Sequence, residues 1–206
     1  MSILATSPMD DLLGFIVLLN PFALSLYLTG LMDELEDHEF LKTLTWASVM
    51  SAVIFAVFAF SGKTIVIDFF GVGPDALRAF GGIIISIVAY GYVVRGYRSM
   101  EQLRGSLDEL PSAIAVPYMV GAGSLTKSIL LGEQNSPAAA MLILTVGVAA
   151  TFAVVMVFKY IRHGMRRSHA RIFDRYVNML SRVNGLLLGA VAMDMIVNSV
   201  RNIWAA

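Results

Sequence analysis

The strongest constraint on this chain is a series of long segments that contain almost no ionisable side chain. These segments are residues 12–32, 43–62, 79–94, 110–126, 134–158 and 183–200, and Asp194 is the only Asp, Glu, Lys or Arg in any of them. A helix that crosses a bilayer needs about 20 mostly apolar residues, with roughly 17–25 as the usual range. The third segment is short, but Arg78 and Arg95 at its ends can extend toward the two interfaces. The sequence therefore predicts an all-α integral membrane protein with six transmembrane helices in a single domain, residues 1–206.

The composition argues against a soluble enzyme. The chain is 57% hydrophobic and 15% charged, whereas soluble domains carry about 25% charged residues. Its formal net charge is zero, so no global field attracts nucleic acid. There is no cysteine, and the three histidines lie in polar stretches outside the spans. No His–Glu pair and no close pair of acids falls within a span, so we expect no metal, no cofactor and no enzymatic activity.

The distribution of basic residues predicts the orientation. Eleven of the fifteen Lys and Arg residues fall in the connections after the first, third and fifth spans, and four fall in the termini or the other connections. Cytoplasmic connections carry the excess of Lys and Arg. We therefore expect both termini on the outer side of the cytoplasmic membrane. The basic connection 159–182 is also suited to contact with anionic lipid headgroups.

Residues 64–72 are apolar but too short to span, and Asp68 lies among them. Such a stretch is either a re-entrant segment or a loop that rests on the membrane surface, and we favour the loop.

Two halves of the sequence resemble each other. Asn20-Pro21-Phe22 in the first span corresponds to Val116-Pro117-Tyr118 in the fourth, so the prolines are 96 residues apart. Residues 80–85 in the third span correspond to residues 183–188 in the sixth, 103 positions later, and Ala89 then falls opposite Ala192. Each half, 8–100 and 108–206, holds three spans. Because three is odd, tandem halves must have opposite orientations in the membrane, as in the inverted repeats of many secondary transporters.

The prolines predict broken first and fourth helices. Pro21 and Pro117 cannot donate to the carbonyls of Val17 and Ala113, and an unpaired carbonyl in the bilayer costs several kcal/mol. Broken helices expose backbone donors, acceptors and helix ends that suit a small zwitterion. The predicted substrate site comprises Asn20, Pro21, Ser25, Thr29, Pro117, Tyr118, Gly121, Gly123, Ser124 and Asn184.

The alternative is that these prolines and glycines only kink and pack the helices, which is common in membrane proteins. We assign that packing role to Gly81-Gly82 and to Gly185, because small residues let helices approach closely.

Asp194 is the only acid inside an apolar span. An intramembrane carboxylate is a candidate for carrying a proton or binding a coupling cation such as sodium. The alternative is a hydrated residue near the outer end of its helix, paired with Arg201 or Lys127.

At these residues the sequence resembles the MarC family of integral membrane proteins. The resemblance covers nearly the whole chain and rests on Asn20-Pro21-Phe22, residues 71–85, residues 117–124 and residues 182–195. Gly121-Ala122-Gly123 stands where the family commonly has Gly-Pro-Gly, and Asp194 stands where glutamine is common. The resemblance implies six helices, an inner-membrane location and, for some members, transport of small neutral amino acids.

The sequence thus predicts a secondary transporter of small neutral amino acids of the alanine, glycine and serine class. A channel or exporter for another small solute or ion is a second hypothesis, and a non-transporting partner subunit is a third. Homo-oligomerisation is left open.

Overall fold

The computed structural model describes residues 7–69, 71–95, 109–163 and 167–205, and in these ranges the regular structure is helical, without strands. The first half contains α1 (Pro8–Leu19), α2 (Pro21–Tyr27), α3 (Thr29–Glu34), α4 (Asp37–Gly62) and α5 (Pro74–Arg95). The second half contains α6 (Leu110–Ala113), α7 (Ala122–Gln134), α8 (Pro137–His163) and α9 (Arg167–Ala205). Two π-helical segments, Lys63–Phe69 and Ile114–Met119, continue α4 and α6.

Five helical stretches among the described residues are long and apolar enough to cross a membrane. They are Pro8–Tyr27, Asp37–Ile65, Asp75–Val94, Pro137–His163 and Asn178–Trp204. They coincide with the predicted first, second, third, fifth and sixth spans, so the all-α membrane architecture is confirmed. The predicted fourth span, 110–126, is divided among α6, the second π-helical segment and α7.

Residues 64–69 differ from the surface loop that we favoured. They extend α4 as a π helix, and the chain turns afterwards at Gly71, whose φ is +65°. A left-handed turn of this kind is available to glycine without steric cost.

The start of α1 shows how the sequence fixes a helix end. The Ser7 Oγ accepts from the Asp10 N–H at 3.2 Å, and the Asp10 carboxylate accepts from the Ser7 N–H at 3.1 Å. Pro8 occupies the first helical position, where its missing N–H costs nothing. This reciprocal capping box satisfies backbone donors at the membrane boundary.

The main core lies among α1, α2, α4, the second π-helical segment, α7 and α8. Phe15 of α1 meets Phe55 of α4 edge to face, with ring centroids 5.1 Å apart. The Phe15 ring also covers Gly147 of α8, where an added Cβ would lie 2.5 Å from a ring carbon. The first span is thereby held between α4 and α8.

Helices α5 and α9 form a second unit with the most extensive helix–helix contact in the described chain. A Cβ added to Gly82 would lie 2.8 Å from the Ala192 carbonyl oxygen, and one added to Gly185 would lie 3.1 Å from the Ala89 carbonyl oxygen. Such close backbone approach needs glycine at both positions. The two glycines therefore have the packing role that the sequence predicts.

We expect Gly82→Ala to lower the free energy of unfolding by about 1–3 kcal/mol, because the new methyl group must separate α5 from α9. Gly189→Ala is the matched control on the same helix pair, since its Cβ would lie 3.7 Å from the nearest atom, the Ala89 Cβ. Thermal unfolding in detergent measures both variants. An equal loss of stability in the two, or none in Gly82→Ala, would contradict the close approach at Gly82.

Candidate functional site

The first break is centred on Asn20. Its backbone is left-handed, with φ 45° and ψ 67°, and it is the one non-glycine residue with positive φ in the described ranges. The Asn20 N–H donates to the Ile16 carbonyl at 3.0 Å and ends α1. Its Oδ1 accepts from the Ala23 N–H at 3.1 Å and begins α2. One residue thus caps two helices, and Asn is among the few side chains that tolerate this backbone.

The second break lies before α7. Val116 leaves the helical region, with φ −123° and ψ 121°, as expected for a residue that precedes proline. Gly121 is extended, and α7 begins at Ala122. The Ser124 Oγ accepts from the Gly121 N–H at 3.0 Å and lies 3.1 Å from the Met119 carbonyl oxygen. Ser124 therefore holds the unwound backbone in place.

A cavity of about 90 Å³ lies between the two breaks and α5. Five residues of the predicted site line it: Asn20, Tyr118, Gly121, Gly123 and Ser124. Asn20 lies about one hundred residues before the other four in the sequence, and the fold brings them together. Sequence analysis did not identify the other walls, which are Leu18, Leu19, Ala23, Tyr27, Gly81, Ile84, Ile85, Val88, Met119 and Leu188.

Opposite helix ends face this cavity. Leu18 and Leu19, the last residues of α1, line it together with Gly123 and Ser124 from the first turn of α7. The last carbonyls of a helix carry partial negative charge, and its first N–H groups carry partial positive charge. The cavity therefore offers complementary environments for a cationic group and an anionic group.

Asn184 of α9 is buried beside the first break. The Asn20 Nδ2 donates to the Asn184 Oδ1 at 3.4 Å. This assignment is fixed by the capping bond, because the Asn20 Oδ1 already accepts from Ala23. The Asn184 Nδ2 then has no hydrogen-bond partner within the described structure. A buried amide donor without a partner is costly, and a bound ligand is one way to satisfy it.

Asn184 and the remaining predicted residues lie outside the cavity lining. Ser25 and Thr29 are buried, and their hydroxyls donate to the carbonyls of Pro21 and Ser25 at 2.8 and 3.1 Å. Pro21 occupies the first position of α2, and Pro117 lies in the second π-helical segment. The prolines create the breaks, and the two hydroxyls support α2 and α3.

Three tyrosines close the side of the cavity away from α1 and α7. The Tyr27 ring lies 5.2 Å from that of Tyr118 and 4.6 Å from that of Tyr92, centroid to centroid. Tyr92 is fully buried on α5, and its hydroxyl has no partner within the described structure. No spacing in the sequence indicates this tyrosine cluster, because its members come from three distant helical segments.

Asp194 lies on the exposed surface of α9, between the exposed Met193 and Val197, and does not line the cavity. The alternative partner considered for it, Lys127, instead binds Asp11 of α1, with Nζ and Oδ1 2.7 Å apart. A coupling role for Asp194 stays a prediction. In the described ranges, no three His, Asp or Glu side chains are grouped as metal ligands.

A larger pocket of about 610 Å³ lies at the start of α4, beside Glu39, Lys42, Pro111 and Ser112. It contains none of the predicted site residues, and it borders the chain next to residues 96–108, which lie outside the described ranges. The smaller cavity at the breaks is therefore the candidate site.

Comparison with known proteins places the chain among bacterial and archaeal membrane proteins. A model of the MarC family of integral membrane proteins matches residues 7–204. A UPF0056 membrane protein of Aquifex aeolicus is 24% identical, covering 93% of this chain and 91% of its own. The Escherichia coli UPF0056 inner membrane protein MarC is 25% identical, covering 93% of this chain and 94% of its own. No solved structure matches the chain.

We expect Asn20→Ala to be less stable than Asn20→Gly by about 1–2 kcal/mol, because a Cβ disfavours the left-handed backbone. Both variants lose the cap of α2 and the bond to Asn184, so their difference isolates the backbone term. Thermal unfolding of the two purified variants is the measurement. Equal stability would show that Asn20 does not adopt the left-handed conformation in the membrane protein.

Proposed function

Because the chain belongs to the MarC family of integral membrane proteins, with a match that spans residues 7–204, we propose that it transports a small neutral solute. The solute is an amino acid of the alanine, glycine and serine class. The location is the inner membrane, which the name of the Escherichia coli relative also gives. The single observation that carries the proposal is the cavity at which the two broken helices meet.

The chemistry of the cavity suits a zwitterion. The carboxylate of an amino acid binds the first N–H groups of α7, and the ammonium group binds the last carbonyls of α1. The unpartnered Asn184 Nδ2 lies outside the cavity lining but beside Asn20, and in this proposal it supplies a further donor to the solute. Each group of the solute then replaces hydrogen bonds that it made with water.

The size of the cavity supports a small solute. A cavity needs about 10–15 Å³ to hold one water molecule. The cavity of about 90 Å³ therefore has room for about six to nine groups the size of a water molecule. Alanine and serine have six and seven non-hydrogen atoms and glycine has five, whereas the aromatic amino acids have more than nine.

Reciprocal contacts support two inverted halves, 8–100 and 108–206. In this proposal the broken fourth span crosses the membrane as well, which brings the number of spans to six. Gly82 meets the Ala192 carbonyl and Gly185 meets the Ala89 carbonyl, so each member of one matched pair contacts a member of the other. The helix that follows each broken span begins at Asp37 in one half and at Pro137 in the other.

Two ion pairs, one at the C-terminal end of α4 and one at the C-terminal end of α8, follow the same pattern. Lys63, after α4, lies 3.6 Å from Glu133 of α7, and Arg162, near the end of α8, lies 2.6 Å from Asp33 of α3. The acids are one hundred residues apart and the bases ninety-nine. Each broken span is thus tied to the second helix of the other half.

Alternating access follows from rocking of one half against the other around the fixed cavity. The tyrosine cluster closes the side of α2, and the contact between α1 and α7 closes the opposite side. With both termini outside, the tyrosine cluster faces the cytoplasm. A proton or sodium ion is the proposed coupling ion.

We expect alanine, glycine or serine to raise the thermal stability of the purified protein as its concentration increases. A ligand at one hundred times its Kd adds about 2.7 kcal/mol to the free energy of unfolding. Asn184→Leu should abolish the shift, because it removes the buried donor while keeping the branched shape of the side chain. Uptake and counterflow of the labelled amino acid into proteoliposomes then test transport.

Asn198→Leu is the matched control, since Asn198 is half-buried on the same helix but lies fourteen residues further along, about 21 Å from Asn184. It should bind the amino acid as the parent protein does. Binding that survives Asn184→Leu would remove Asn184 from the site. A well-folded parent protein that no amino acid stabilises would overturn the proposed function.

A further inference from the structure

A buried ion pair joins the two broken spans on the side of the cavity away from the tyrosine cluster. Asp11 of α1 is 1% exposed, and its Oδ1 lies 2.7 Å from the Lys127 Nζ of α7. Its second oxygen, Oδ2, accepts from the Asn135 Nδ2 at the end of α7, at 3.1 Å. In the sequence, Asp11 is an acid in the first turn of a helix, where acids are common. Its contacts instead connect the first half of the chain with the second.

The position of the pair relates it to the cavity. Asp11 precedes the break at Asn20 by nine residues, and Lys127 follows the break at Gly121 by six. At a rise of 1.5 Å per residue, the pair lies about 9–13 Å from the cavity along the two helices. Helices α1 and α7 contact each other between the pair and the cavity. A solute that comes from the side of the N-terminus must separate these helices.

We propose that Asp11 is a proton-binding site that controls this separation. The inference rests on the proposed transport function and identifies the ion that regulates the cavity. A proton from the aqueous phase on the N-terminal side binds the Asp11 carboxylate and forms a neutral carboxylic acid. Lys127 keeps its charge, loses its counterion and moves to water, so that α1 separates from α7.

The surrounding charges make Asp11 the group that responds. On α1, the neighbouring Asp10 is exposed and is bound to Ser7. On α7, Glu133 pairs with Lys63 and does not compete for Lys127. Helix α8, which also packs against α1, has no ionisable side chain from Pro137 to Phe158. Lys127 is therefore the charged group in the described structure whose partner is lost when Asp11 takes up a proton.

Burial gives the switch its driving force. A buried charge whose partner has been neutralised is strongly unfavourable, whereas the intact pair is tolerated. The Lys127 side chain is 21% exposed, so a small displacement of α7 takes its ammonium group into water.

The experiment measures the distance between α1 and α7 without any solute. The chain has no native cysteine, so cysteines introduced at Leu13 and Gln134, both exposed, carry two spin labels at unique positions. Double electron–electron resonance in lipid nanodiscs then gives the distribution of distances between the two labels at a series of pH values. We expect a longer population that grows as the pH falls.

Asp11→Asn should show the longer population at every pH, because asparagine carries no charge to hold Lys127. Asp10→Asn removes the same charge one position earlier and should keep the pH response of the parent protein. A parent protein whose distances do not change with pH would overturn the proposal. The proposal also fails if Asp11→Asn responds like the parent, or if Asp194→Asn abolishes the response.

Asn135→Ala keeps the test decisive if Asp11→Asn does not fold. It removes the hydrogen bond to the Asp11 carboxylate and leaves the ion pair, so the longer population should grow in at a higher pH. If the pH at which the longer population reaches half of its maximum is the same in Asn135→Ala as in the parent protein, the role of Asp11 is contradicted. Because no solute is present, these results are independent of the amino-acid binding test, and either proposal can fail alone.

Discussion

The architecture depends on one constraint, which is that backbone donors and acceptors inside a bilayer have no water to pair with. Unbroken helices such as α4 and α8 meet this constraint within themselves. Pro21 and Pro117 prevent the first and fourth spans from doing so. Asn20 ends α1 through its N–H and begins α2 by accepting from the Ala23 N–H, and Ser124 anchors the unwound backbone before α7. Residues at both breaks line the cavity, so the site is a consequence of breaking helices in an apolar medium.

The sequence predicted what local chemistry determines. Long segments without charge became long helices, because nothing else satisfies their backbone. The fourth span did not become one helix, because Pro117 and Gly121 interrupt it within a few residues. Five members of the predicted site line the cavity, since each stands at a break that the prolines and glycines already indicated. Ser25 and Thr29 do not, and their helical positions explain it: such hydroxyls donate to the carbonyl four residues earlier.

Contacts between distant segments could not be predicted in this way. The members of the Asp11–Lys127 pair are 116 residues apart, and their sequence neighbourhoods indicate only a helix start and a charged helix face. Tyr27, Tyr92 and Tyr118 also come from separate segments of the sequence. An aromatic residue in an apolar helix is as compatible with packing against lipid as with packing against protein. The hydrophobic pattern identified Asp194 as an acid inside an apolar span, but only the packing of α9 shows that this acid lies on the exposed surface.

The distribution of charge relative to the cavity accounts for the selectivity that we propose for a neutral solute. The described residues that line the cavity include no Asp, Glu, Lys or Arg. A solute with net charge would enter an apolar environment without a counterion, which is strongly unfavourable. A zwitterion has no net charge, and the partial charges of two helix ends are enough to orient it. Full charges stand instead at a distance, in the Asp11–Lys127 pair and in the ion pairs near the ends of α4 and α8. There they connect helices of the two halves, so the proposed binding and gating would use separate groups.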